Sequence, residues 1–238
     1  MNIMAKSLLR ASAISAAAFI AQNAFSQVLY NNSTTYNGDY IVNGETGNEV
    51  VLAGSASSDV ISGITLQYDL LNADGGMGGT PNPTDSVDVR FYANTGAIVD
   101  GYASPAATPL YDSGAILLSA LGVTAYTEGA TLIDTGLNVT VPQDFTWTLT
   151  FGGLGGDEGS LGLFSSPSVG SNYGDAWVNS GDGWALVVAG DPPPALEFGA
   201  EITGTAVVPD SSSLSFSVLA IGAGFGLVKR SIRRQHSA

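Results

Sequence analysis

Residues 145–151 read Phe-Thr-Trp-Thr-Leu-Thr-Phe, four large apolar residues alternating with three threonines. A period of two marks a strand with one face in a core and one in water. Phe145, Trp147, Leu149 and Phe151 are therefore expected inside and the threonines outside. Each such apolar side chain contributes ~1.5–3 kcal/mol when fully buried. Pro142 before the run and Gly152-Gly153 after it punctuate its ends. Residues 87–92 repeat the pattern, with Val87, Val89 and Phe91 facing one way and Asp88, Arg90 and Tyr92 the other. Further strands are expected at 40–42, 49–53, 60–70, 110–112, 131–133, 137–141, 160–164, 176–179, 184–189 and 196–203. Turn residues separate them, among them Asn37-Gly38, Asn43-Gly44, Asn94-Thr95-Gly96 and Ser180-Gly181-Asp182-Gly183. Residues 113–120 fit either a short helical turn or another strand. No internal window of ten or more residues has helical periodicity, and only the terminal segments look helical. Many short strands at this spacing predict an all-β, two-sheet antiparallel β-sandwich, jelly-roll-like. Two long loops stand out: 72–84, rich in Gly and Pro, and 191–194, whose consecutive prolines favour an extended polyproline conformation.

The two ends differ from this middle. Lys6 and Arg10 precede a short apolar run over 11–21, and Ala24-Phe25-Ser26 is a small-x-small cleavage site. This is the layout of a secretory signal peptide over 1–26, implying passage through the Sec export machinery. An N-terminal membrane helix would need a longer run. At the other end a polar motif, Val208-Pro209-Asp210-Ser211, leads into an apolar segment over 214–228. The basic residues Lys229, Arg230, Arg233 and Arg234 follow. The apolar segment is about fifteen residues, against the ~20 that span a bilayer comfortably. Positive flanks stay on the cytoplasmic side. The expected organisation is a signal peptide at 1–26, a β-sandwich domain at 27–206 and a C-terminal hydrophobic sorting helix within 207–238.

Charge separates the parts further. Lys and Arg number seven, two in the signal peptide and four in the tail; between 27 and 209 only Arg90 remains, against twenty acids, for a formal charge of −19. Nucleic-acid binding rests on cations that neutralise phosphates, so nucleic acid is excluded as a partner. Cysteine is absent, so the exported domain depends on its core or on ions rather than disulfides. At about 180 residues it is long enough to bury roughly 70% of its unfolded surface.

The ending of the chain resembles the PEP-CTERM sorting signal of exosortase substrates in Gram-negative bacteria. Val208-Pro209-Asp210-Ser211 stands where that family usually shows Val-Pro-Glu-Pro, closer to its Val-Pro-Asp-Ser-Gly variant with Ser212 in place of the glycine. The resemblance implies tethering to the membrane by the C-terminal segment during export. Cleavage near the motif by an exosortase-like processing enzyme, and release or transfer to the cell surface, would follow. A plain C-terminal membrane anchor is the other reading. The middle is similar to secreted PEP-CTERM proteins in Gly47-Asn48-Glu49-Val50, Leu52-Ala53-Gly54, Arg90-Phe91-Tyr92, Leu110-Tyr111-Asp112-Ser113-Gly114 and the 145–151 run. That similarity implies no reaction.

The residue inventory limits the chemistry. The only histidine is His236, in the tail, and the middle has neither cysteine nor lysine. The usual activated nucleophiles and a histidine-based zinc site cannot be built. Paired carboxylates could hydrolyse glycosides, but nothing in the sequence fixes a separation or an apolar pocket, and Asp157 and Glu158, like Asp85 and Asp88, read as solvated turn and strand-flanking acids. Calcium takes carboxylate, amide and carbonyl oxygens, and Asn72, Asp74 and Asp85 lie in or beside one loop. Asn172, Asp175 and Asp182 lie near another, without EF-hand spacing. Sugar rings stack on exposed aromatics. Trp177 and Trp184, with Tyr173, Tyr68 and Tyr92, are candidates for such a platform against the alternative that the tryptophans are core residues. Arg90 is expected to pair with a neighbouring surface acid. The leading expectation is a non-enzymatic cell-surface or extracellular-matrix protein embedded in exopolysaccharide. A carbohydrate-binding module comes second and a glycoside hydrolase third. No cofactor is expected beyond a candidate structural calcium.

Overall fold

The computed structural model describes residues 26–54, 56–72, 79–125, 129–188 and 195–206. In chain order the strands are β1 (Gln27–Asn31), β2 (Tyr36–Ile41), β3 (Glu45–Val51), β4 (Ser58–Leu71), β5 (Ser86–Ala93), β6 (Ile98–Val99), β7 (Tyr102–Ala103) and β8 (Tyr111–Asp112). They continue as β9 (Ile116–Leu117), β10 (Ala130–Pro142), β11 (Asp144–Gly152), β12 (Glu158–Phe164), β13 (Ser171–Asn172), β14 (Ala176–Asn179), β15 (Trp184–Val187) and β16 (Ala200–Ala206). Among the described residues there is no α-helix.

Two antiparallel sheets carry the fold. Sheet A runs β1-β16-β4-β12-β2, with β10 also on β4; sheet B runs β15-β14-β3-β11-β5-β8, with β13 on β3 and β9 on β5. The chain crosses between the sheets at nearly every long connection: β2 to β3, β3 to β4, β4 to β5, β10 to β11 and β11 to β12. β6 and β7 form a separate hairpin whose tip, Asp100-Gly101, has positive φ at both residues (50° and 93°). That is the geometry two-residue hairpin turns select.

The core lies between the sheets. Val87, Val89 and Phe91 of β5, and Phe145, Trp147 and Leu149 of β11, are fully buried, as the alternation predicts. They meet Ile61, Ile64, Leu66, Tyr68 and Leu70 of β4 and Ile202 of β16. Trp147 reaches Phe198 edge-on, 6.3 Å between ring centres. Gly47 is required where β3 passes β11, because a Cβ there would lie 1.8 Å from the Trp147 carbonyl oxygen.

Several boundaries differ from the pattern-based reading. The expected strands at 131–133 and 137–141 are one strand, β10, interrupted in register between Thr135 and Val139, where Gly136 adopts φ 78°. The glycine makes a bulge rather than a turn. Residues 196–199 precede β16 as a crossing segment held by Asn48. Its Nδ2 donates to the Asp175 and Leu196 carbonyls, and its Oδ1 accepts from the Phe198 N–H, each at 2.7 Å. Residues 116–123 supply both alternatives in turn: a two-residue strand, then one helical turn closed by Leu121 N–H to Leu117 and Val123 N–H to Leu118. The threonine face of β11 is not in water. Thr146 and Thr148 are fully buried, because polar side chains from β3 and from the end of β5 close over them.

The two ends of the described domain emerge together. β1 pairs antiparallel with β16, Gln27 opposite Gly204, and Ala206 lies opposite Asp59 at the start of β4. Of the expected site residues, Ala24 of the cleavage site, Asp74, the motif Val208-Pro209-Asp210-Ser211 and the basic cluster Lys229, Arg230, Arg233 and Arg234 lie outside the described residues. So do the rest of the expected signal peptide and the hydrophobic sorting segment. Ser26 is described, and its hydroxyl bonds that of Ser62 at 2.8 Å.

Candidate functional site on the outer face of sheet B

Strand alternation sends one set of side chains from sheet B away from the core. On β3 these are Glu45 and Glu49; on β11, Asp144, Thr146 and Thr148; on β5, Asp88, Arg90 and Tyr92. Trp177 of β14 lies over Gly47, and Trp184 of β15 lies opposite Asn179. Two polar clusters result.

The first is centred on Arg90. Its guanidinium reaches three carboxylates from three strands: Glu45 on β3 at 3.3 Å, Asp112 on β8 at 2.9 Å, and Asp88 on its own strand. Thr148 Oγ1 donates to Glu45 at 2.6 Å, and Ser113 Oγ to Asp88. Burial works against the Arg90 charge, but the three acids outweigh it and raise its pKa. Burial raises Asp88 despite the adjacent arginine. Asp112 is lowered, chiefly by the Gly114 N–H. Burial, then the Glu45 carboxylate, raises Tyr92. The one cation expected on a surface pair is instead shared among three acids, so it is not available to a ligand.

The second cluster lies toward the other end of β3. Trp177 Nε1–H donates to Glu49 at 3.1 Å, and Asp144 stands on the same face, two positions along β11 from Thr146, the residue opposite Glu49. Asn94 Nδ2 donates to Asp144 at 2.8 Å, while Thr146 Oγ1 donates to Asn94 Oδ1 at 2.7 Å. The Tyr173 hydroxyl donates to Asp144 at 3.3 Å. Burial pushes Glu49 up to about 7; the indole bond opposes the shift and the Asp144 charge adds to it. The β6–β7 hairpin closes over this end: β6 touches β15, and the Tyr102 ring sits 6.2 Å from that of Tyr173. Both rings are nearly half exposed, 45% and 48%.

The aromatic candidates therefore divide. Trp177 is fully buried and spends its indole N–H on Glu49. Tyr68 and Tyr92 are buried as well. Trp184 is partly exposed and packs edge-on against Tyr92, 5.4 Å between ring centres. Tyr173 is open to solvent, and beside it stands Tyr102, which was not among the candidates. Of the loop oxygens, Asp85 is buried and its carboxylate accepts the Asn82 N–H at 2.6 Å, closing the turn before β5; Asn72 follows β4 and has a partner of its own. Asn172 donates to the Tyr30 hydroxyl, and Asp157 and Glu158 lead into β12. Among the described residues no group of three or more His, Cys, Asp or Glu side chains is placed to hold a metal ion.

The Glu49–Asp144 pair was missed because the two acids are almost a hundred positions apart. The available signal was phase. Glu45 and Glu49 share one face of an alternating strand, and Asp144 falls in step with the threonines of β11. Compared with protein families, curated proteins and solved structures, the chain finds no match in any of the three.

Proposed function

We propose that this is an exported, non-catalytic domain of the bacterial cell surface or extracellular matrix, addressed by its C-terminal sorting signal and released or anchored there by an exosortase-like enzyme. The observation that carries the reading is that the described domain begins and ends at one end of sheet A, Gln27 opposite Gly204. The points proposed for removal of the leader and the tail, near residues 26 and 207, are therefore neighbours on the described domain. The repeated crossing between sheets is read as jelly-roll-like connectivity. A non-catalytic role is supported by the commitment of Arg90 to three acids. Mass spectrometry of surface material tests the assignment. The expected product starts at Gln27 and ends near Ser213; a full-length cytosolic chain sinks it.

One observation favours a second reading, carbohydrate binding. Tyr102 and Tyr173 are exposed neighbours beside carboxyl and amide groups, the combination that stacks on and hydrogen-bonds neutral sugars. With Arg90, the cation of the described residues, held by three acids, the ligand class would be neutral rather than anionic glycan. A glycan array on wild type and Tyr173→Ala separates the readings: binding lost in the variant supports it, and a blank array leaves the structural role.

A further inference from the structure

We propose that the outer face of sheet A, where β16, β4 and β10 lie side by side, is a docking surface for an uncharged polysaccharide chain. The inference rests on the matrix reading above and names the face and the chemistry of the partner. Register places six threonines on this face. Thr203 and Thr135 flank Gly63, Thr205 and Thr140 flank Val60, Thr131 lies opposite Gln67, and Thr65 opposite Glu201. They alternate with Leu132, Ile64, Leu66 and Ile202, which face the core. Neighbouring strands are about 4.8 Å apart and every second residue about 6.7 Å along, so the hydroxyls form a grid. Among the described residues only Thr203 of the six spends its hydroxyl on a protein group, accepting from Ser62 and donating to the Gly63 carbonyl, each at 3.4 Å. Gly63 leaves a shallow trough: a Cβ there would stand 3.1 Å from Thr203 Oγ1 and 3.7 Å from Thr135 Cγ2.

Strand propensity accounts for threonine on each strand, but not for the difference between the two sheets. The outer face of sheet B carries Glu45, Glu49, Asp88 and Asp144. On the β16–β4–β10 face the one acid among the described residues is Glu201, which accepts from the Asn31 amide at 2.7 Å. The other acids of these strands point elsewhere. Asp59 and Asp69 are buried, and Asp134 is in phase with Ile64 and accepts from the Tyr111 hydroxyl. In a domain of formal charge −19, this is an almost uncharged face. Hydroxyls both donate and accept, which matches a partner covered in hydroxyls. The grid spans several rungs and none of its positions is aromatic, so it suits a chain held by many weak bonds rather than one sugar in a pocket. A polyanion is repelled by the domain as a whole. A second copy is repelled in the same way, and Val60 offers too little apolar surface for the core of a dimer interface.

Affinity electrophoresis of the intact chain in native gels tests the surface. The probes are dextran, laminarin and hydroxyethyl cellulose as neutral polymers, with alginate as the polyanion. Wild type should be retarded by at least one neutral polymer and not by alginate. Thr65→Val and Thr135→Val keep the β-branched shape and remove one hydroxyl, so each should weaken binding about fivefold. Thr135→Glu and Thr140→Glu put a carboxylate on the grid and should abolish it. Tyr173→Ala, on sheet B, should leave it unchanged. No retardation by any of the neutral polymers overturns the proposal, while the export assignment, read from the mature termini, is untouched. Retardation that survives the glutamate variants, or that is lost in Tyr173→Ala, also overturns it. So does equilibrium sedimentation that finds wild type dimeric and Thr135→Glu monomeric, since the face is then a contact between copies. Circular dichroism checks each variant's fold; if Thr135→Glu does not fold, Thr140→Glu decides.

Discussion

Replacing Arg90 with Met should destabilise this protein more than any other single change to its exposed or half-exposed polar residues. The Arg90 side chain is 29% exposed, Glu45 10%, Asp88 14% and Asp112 42%. Asp112 is solvated enough that losing its partner costs less than ~1 kcal/mol. Glu45 and Asp88 are not. Removing one partner from a fully buried ion pair costs ~3–5 kcal/mol because a charge is left stranded. Partial exposure of the arginine lowers that here to about 2–4 kcal/mol. For a domain of this size, ~2–4 °C per kcal/mol applies, which gives a fall in Tm of about 5–15 °C at pH 7. Calorimetry on the two proteins measures it. The loss should shrink below about pH 4, because protonated acids no longer need a counter-charge. Arg90→Lys should recover only part, since one ammonium cannot serve three carboxylates from three directions. A Tm drop under 2 °C at pH 7, or a loss that does not diminish in acid, would refute the hub.

Three further outcomes are expected. Glu49 in the native state titrates near 7, above its ordinary 4.5, so from about pH 4.5 to 7 the folded protein keeps a proton that the unfolded chain has lost. Its contribution is therefore fully present below pH 4.5 and declines as pH rises to about 7, by about 1–2 kcal/mol in total after allowance for solvent. Urea titrations should show Glu49→Gln lacking that decline. Gly47→Ala forces a methyl against the Trp147 carbonyl and should cost about 3 kcal/mol or more, read as a lowered urea midpoint. Asn48→Ala removes three 2.7 Å bonds, two to the buried 196–199 crossing and one to the Asp175 carbonyl, and should cost about 3–5 kcal/mol, with near-UV circular dichroism reporting a loosened Phe198 and Trp147.

Local pattern made β5, β11 and β14 legible, because alternation and flanking turn residues are properties of adjacent positions. Residues 176–179 form the strand as read, and Trp147 is interior as expected. What the pattern could not supply was the covering of a face. The threonines of β11 look solvent-facing on their own strand, yet Glu45 and Asn94 lie over them. Gly136 shows a similar limit: a glycine between two short apolar runs breaks the chain on paper, whereas pairing with β4 on both sides makes it a bulge. Asp100-Gly101 was a plain hairpin signal that went unread. Arg90 was seen as a lone cation, but which acids it gathers depends on sheet order. The nearness of Asp144 to Glu49 likewise exists only once β3 and β11 are neighbours.

The adjacency of the two ends of the described domain also has a mechanical side. β16 is hydrogen-bonded along both edges, to β1 and to β4. A pull applied at Ala206 in line with the strand would slide it against both neighbours. Ladder bonds lie across the strand direction, so many would have to give way at once instead of peeling singly. Stretched from its tail, this fold should resist like a bolt drawn lengthwise through its housing.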